Sequence, residues 1–135
     1  MSIVALELIL FVVRDALTHV LFSFLFFFST VPSSGVLIPI PQYPIYSATL
    51  DLLGAHKVGY YLDESKGWDF NIPQVEKALR EAREQGIQVV AMVVINPGNP
   101  TGQVLSRKTI QEICKFCAKH KLVSSERLRC GVFFR

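Results

Sequence analysis

Cysteine is scarce in this chain, three among 135 residues. An odd count without framework spacing excludes a disulfide-stapled domain and suits a reducing compartment. Charge of one sign is equally thin: the net charge is +3, with no Lys/Arg-rich block and no interleaving of aromatic with basic residues. Nucleic acid is therefore not an expected partner. Neither G-x-x-x-x-G-K-S/T nor G-x-G-x-x-G occurs, which removes the mononucleotide and dinucleotide phosphate loops. An unbroken apolar run of about 20 residues, the length a membrane-spanning helix needs, is also missing.

What comes closest to such a run is the N-terminal segment. Ile3–Val13 is apolar apart from Glu7, Arg14 and Asp15 interrupt, and Val20–Val31 is apolar apart from Ser and Thr. Counting from Ala16 falls short of a span and includes His19. Counting from Ile3 puts Arg14 and Asp15 in mid-membrane at about 2.5–3.5 kcal/mol each. Met1-Ser2-Ile3 supplies no basic n-region for a signal peptide. Residues 1–34 are read as a hydrophobic leader of helical character, either a membrane segment through residues 1–31 or non-native sequence joined to a domain.

Cys114 and Cys117 form a C-x-x-C with His120 three residues on. A redox pair belongs at a helix N-terminus, where the thiolate is stabilised, yet this one lies deep in a helical pattern. A zinc site would need a fourth ligand, and Cys130 is the one cysteine left. The pair is expected to face the core beside Ile110 and Ile113, and no metal site is expected.

From Val36 the pattern becomes regular. Val36–Ile40 reads as a strand broken by Pro41-Gln42-Tyr43-Pro44, and Ile45–Leu53 as a helix stopped by Gly54. Val58–Leu62 reads as a second strand, followed by a polar turn over Asp63–Trp68. Asn71 is placed to cap a helix with Pro73 in its first turn and Gln74 at the capping-box position. Its apolar stripe is Val75, Ala78, Leu79 and Ala82, and Gly86 ends it. Val89–Ile95 has no polar alternation, so both faces should be buried, as in a parallel sheet. Ser106 caps a last helix to about Lys121. The order βαβαβα specifies an α/β fold with a mostly parallel sheet.

In such a sheet all the strand carboxyl ends share one edge, where ligands bind. Pro41–Pro44 and the stretch Asn96-Pro97-Gly98-Asn99-Pro100-Thr101-Gly102 should therefore face one crevice. Prolines and glycines stiffen both loops, while Tyr43 offers a ring and Asn99 an amide. That pair suits a planar, π-rich ligand carrying a hydrogen-bonding oxygen. The plain alternative is two rigid turns with Tyr43 as rim packing.

The Asn96–Gly102 loop resembles the N-P-x-N-P-T-G loop of pyridoxal-phosphate aminotransferases of classes I and II, fold type I. Pro39–Ser47, Tyr60-Tyr61-Leu62-Asp63-Glu64 and Trp68 at their spacing resemble the alanine aminotransferase branch, which includes the glutamate–glyoxylate enzymes. The match covers about Gly35–Val123. It implies part of the large cofactor-binding domain, with residues 124–135 as a divergent tail. It implies that Tyr43 stacks on the pyridine ring of pyridoxal 5'-phosphate and that Asn99 hydrogen-bonds its phenolic oxygen. By the same likeness Pro41, Asn96, Gly98, Pro100 and Gly102 shape the loops, with cis bonds before Pro41 and Pro100. The family exchanges an amino group between L-alanine and 2-oxoglutarate, or glutamate and glyoxylate, as a homodimer in the cytoplasm, mitochondria or peroxisomes.

The resemblance also sets out what the chain should hold for catalysis. The Schiff-base lysine stands in an S-x-S/T-K context, and none of Lys57, Lys66, Lys77, Lys108, Lys115, Lys119 or Lys121 does. Ser124-Ser125-Glu126-Arg127 stands where an apolar strand ending D-E-V-Y-like, with the aspartate for the pyridine nitrogen, is expected. The phosphate-binding turn and the substrate-carboxylate arginine have no counterpart. The expectation is a truncated, alanine aminotransferase-like chain, inactive alone. The alternatives are a glutamate–glyoxylate-type fragment and a non-catalytic or membrane-tethered interaction protein.

Overall fold

Alternation between apolar runs and amphipathic stripes builds the layers of this protein, described here from a computed structural model over residues 33–128. The elements are β1 (Ser34–Ile40), α1 (Ile45–Leu52), β2 (His56–Tyr61), α2 (Ile72–Glu84), β3 (Gln88–Asn96), α3 (Arg107–His120) and β4 (Val123–Leu128), with a short 3-10 turn at Glu64–Lys66. Of the expected leader, residues 1–34, all but Ser33 and Ser34 lie outside the described residues, and Ser34 already opens β1. Among those described, no helix is long and apolar enough to cross a membrane.

All four strands are parallel, in the order β2-β1-β3-β4. The uninterrupted apolar run of β3 follows from its place: it is paired on both edges and buried on both faces. On one face α2 and α3 cover Leu37, Val58, Tyr60, Met92 and Val94. On the other, Tyr46 and Leu50 of α1 join Val36, Ile38, Ala91, Val93 and Ile95. The chain thus runs outward from β1 to β2, crosses back to β3, and then continues the opposite way to β4.

Helix ends follow their chemistry. The Asn71 side chain accepts from the Gln74 N–H at 3.3 Å and that of Ser106 from the Thr109 N–H at 3.0 Å, each satisfying a free amide of the first turn. Gly86 has φ +79° beyond α2, a conformation glycine adopts without a Cβ penalty.

One expectation needs correction. The inner face of α3 is Ile113, Phe116 and Cys117, with Ile110 half-buried, and Cys114 is exposed. Phe116, larger than a cysteine, takes the buried position, and the 3.6-residue period then turns Cys114 outward. A further strand follows the expected βαβαβα order over Val123–Leu128, although Ser124-Ser125-Glu126-Arg127 is polar. The segment forms β4, because the open edge of β3 supplies a complete backbone ladder from Ala91↔Val123 to Asn96↔Leu128 and pairing of this kind overrides local propensity.

Candidate functional site

The sheet order reverses between β1 and β3, which puts a crevice outside their carboxyl ends. A small cleft, with a cavity volume of about 10 Å³, lies there. Pro39, Pro41, Tyr60, Leu62, Phe70, Val94, Ile95, Gly98, Asn99, Thr101, Gln103 and Leu105 line it. Residues on β1 and on the loop after β3, more than fifty positions apart, therefore share one concave surface. Pro41, Gly98 and Asn99 among the expected site residues come together in it.

The loop after β3 is pinned by its own hydrogen bonds. Asn96 is buried, and its Oδ1 accepts from the Leu105 N–H at 2.9 Å, closing the base of the loop. The Gly98 N–H donates to the Gln103 carbonyl at 2.8 Å, and the Gly102 N–H to the Gly98 carbonyl at 2.9 Å. The Thr101 hydroxyl bonds the Gln103 side-chain oxygen. A Cβ on Gly98 would run into the Gln103 side chain and the Thr101 hydroxyl. Gly102 sits at φ +75°, in the left-handed region that side chains disfavour. The peptide bonds before Pro41, Pro97 and Pro100 are all cis.

Asn99 is exposed at the cleft and makes no hydrogen bond among the described residues. Tyr43 stands 51% exposed on the loop after β1, outside the set that lines the cleft. Pro100 and Gly102 are exposed loop positions. The Oε1 of Gln42, between Pro41 and Tyr43, is shielded from solvent without a hydrogen-bond partner. The cleft itself offers the uncommitted Asn99 amide above an apolar floor, with the Tyr43 ring exposed on the neighbouring loop. No lining residue is cationic, so a phosphate would be held by groups other than these. Among the described residues no cluster of His, Cys, Asp and Glu could hold a metal ion.

Sequence reasoning overlooked the floor of the cleft. Tyr60 is fully buried, its ring meets Phe70 edge-on at 5.5 Å, and its hydroxyl donates to the Val93 carbonyl at 2.8 Å. Burial holds its phenol well above the ordinary range, so it remains a donor. The inward alternation of Val58 and Tyr60 in β2 was the signal available.

The model of the family described as aminotransferase class I and II matches residues 14–124. The chain is 57% identical over 89 residues to glutamate–glyoxylate aminotransferase 1 of Arabidopsis thaliana, covering 66% of this chain and 18% of that protein. It is 52% identical over 94 residues to the mitochondrial alanine aminotransferase 1 of the same plant, covering 70% of this chain and 17% of that protein. The solved structure of an alanine aminotransferase from Pyrococcus furiosus superposes with a TM-score of 0.68 at 28% identity, over 82% of this chain and 26% of that one. The chain thus spans under a fifth of the length of these two curated relatives.

Proposed function

The chain belongs to the class I and II aminotransferases, and on that premise we propose that its cleft is the ring-binding part of a pyridoxal 5'-phosphate site of alanine or glutamate–glyoxylate type. The supporting observation is the meeting of two proline-built loops at the switch point, beside an uncommitted Asn99 amide. In this reading Tyr43 stacks on the pyridine ring, a contact worth about 0.5–1.5 kcal/mol beyond area burial. Asn99 donates its amide N–H to the phenolic oxygen and so fixes the tilt of the ring. Asn96, Gly98, Pro100 and Gly102 hold the loop that presents Asn99, and Pro41 shapes the loop that presents Tyr43. When bound, the cofactor supplies the electron sink for amino transfer. These residues bind and orient it.

Substrates in this reading are an amino acid and a 2-oxo acid, as the relatives' names state. The working unit is a homodimer, and the compartment is the cytoplasm or an organelle such as the mitochondrion that one relative's name gives. None of the lysines stands in the S-x-S/T-K context.

Titration of the full chain with pyridoxal phosphate, followed by fluorescence quenching, tests the site. Saturable binding that weakens at least fivefold in Tyr43→Ala and in Asn99→Ala is the expected result. Equal binding by wild type and both variants would overturn it.

A further inference from the structure

Pro39 sits inside β1, a strand paired on both edges, where a missing N–H ordinarily breaks the ladder. The break is visible. On the β2 side pairing runs to Ile40↔Tyr61, but on the β3 side it stops at Leu37↔Met92. Backbone groups of successive strand residues point to alternate edges. The Ile40 carbonyl faces β2, since it accepts from the Leu62 N–H at 3.1 Å, so the backbone of residue 39 faces β3. There proline has no hydrogen to give. The Val93 carbonyl of β3 is instead taken by the Tyr60 hydroxyl, which reaches from β2 past β1 with a buried bond of 2.8 Å.

Beyond this point, among the described residues, β3 is paired with β4 alone up to Asn96, and Asn96 begins the loop that carries Asn99. Pro39, Tyr60 and Phe70 also form part of the cleft below that loop. We propose that Tyr60 is a positioning residue: it replaces the ladder hydrogen bond that Pro39 withholds and so holds the end of β3, and with it the Asn96–Leu105 loop, in register with β1. Pro39 lets the strands part and create the cleft. Tyr60 limits how far they part. The role toward the cofactor rests on the reading of the cleft given above, but the mechanical role does not.

The test is hydrogen exchange on the full chain, read at the Gly98, Gly102 and Leu105 amides, whose hydrogen bonds close the loop. Tyr60→Phe keeps the ring and its contact with Phe70 and removes only the donor. These amides should exchange about tenfold faster in the variant, while amides in α2 and α3 change less than twofold, as a local opening requires. In the double variant Pro39→Ala/Tyr60→Phe the restored backbone N–H can take the Val93 carbonyl, and protection should return. Unchanged loop exchange in Tyr60→Phe, an equal rise in both helices, or failure of the double variant to recover protection would each overturn the assignment. Pyridoxal phosphate titration separates the two claims. If the loop loosens as expected while Asn99→Ala binds the cofactor as wild type does, the cofactor reading fails and the Tyr60 tie stands.

Discussion

Asn96 and Asn99 occupy the same Asn-Pro context three residues apart, yet the fold uses them oppositely. Asn96 ends β3 and turns inward, where its carboxamide accepts from Leu105. Asn99 faces the cleft. Asn96→Ala should cost about 1–3 kcal/mol, because the Leu105 N–H stays buried without an acceptor; the urea midpoint checks it. His120 gives a second prediction at this scale. Its ring packs on Phe116 at 4.5 Å, its Nε2 is shielded without a hydrogen bond, and Glu76 Oε1 lies 3.7 Å away. Lys119 also contacts Glu76, at 3.2 Å, and an Arg83 guanidinium nitrogen donates to the His120 carbonyl at 3.3 Å. Burial, then the positive charges of Lys119 and Arg83, hold the imidazole below its ordinary 6.5, against a smaller opposing pull from Glu76. A depressed histidine binds its proton more readily when unfolded. The stability it contributes is therefore present above 6.5 and lost as pH falls through that value toward the folded one. Unfolding midpoints measured from neutral to mildly acid pH should fall more steeply for the wild type than for His120→Gln.

At the scale of elements, capping and periodicity were legible because their causes are local. Asn71 and Ser106 cap the helices that their positions announced. Ser106→Ala should cost about 1 kcal/mol, visible in the thermal midpoint. The substitution also frees the first turn of α3, which follows directly on the cleft loop. Cys114 and Phe116 mark where local reading stopped. Helical spacing defines a stripe but leaves its centre adjustable, and burial of Phe116 in the core cluster that α2 shares decided it. β4 is the clearer case. Ser124, Ser125, Glu126 and Arg127 carry little strand propensity, and only the open edge of β3 makes a strand of them.

For the whole molecule, the arrangement β2-β1-β3-β4 is what turns two distant loops into one cleft. The site proposed above would offer ring and amide contacts, and amino transfer needs in addition a lysine that forms a Schiff base. The 135-residue chain should therefore give no turnover of L-alanine with 2-oxoglutarate, and borohydride reduction with pyridoxal phosphate should trap no single lysine stoichiometrically. Mass spectrometry after reduction checks the second point. A stoichiometric adduct accompanied by turnover would mean that a lysine outside the S-x-S/T-K context does the chemistry.

The sequence by itself determined the alternation of strands and helices, the parallel sheet, the caps and the kinship of the Asn-Pro loop. These follow from residue spacing, proline and glycine geometry, and side-chain polarity within a few positions. Only the tertiary structure decided that Asn96 is a buried clamp, that Cys114 faces solvent, that the polar stretch after Val123 pairs as a strand, and that Tyr60 bonds across the gap at Pro39. Each of those depends on a partner 9 to 33 residues away in the chain or on another element's surface, and such a partner is brought near only by folding.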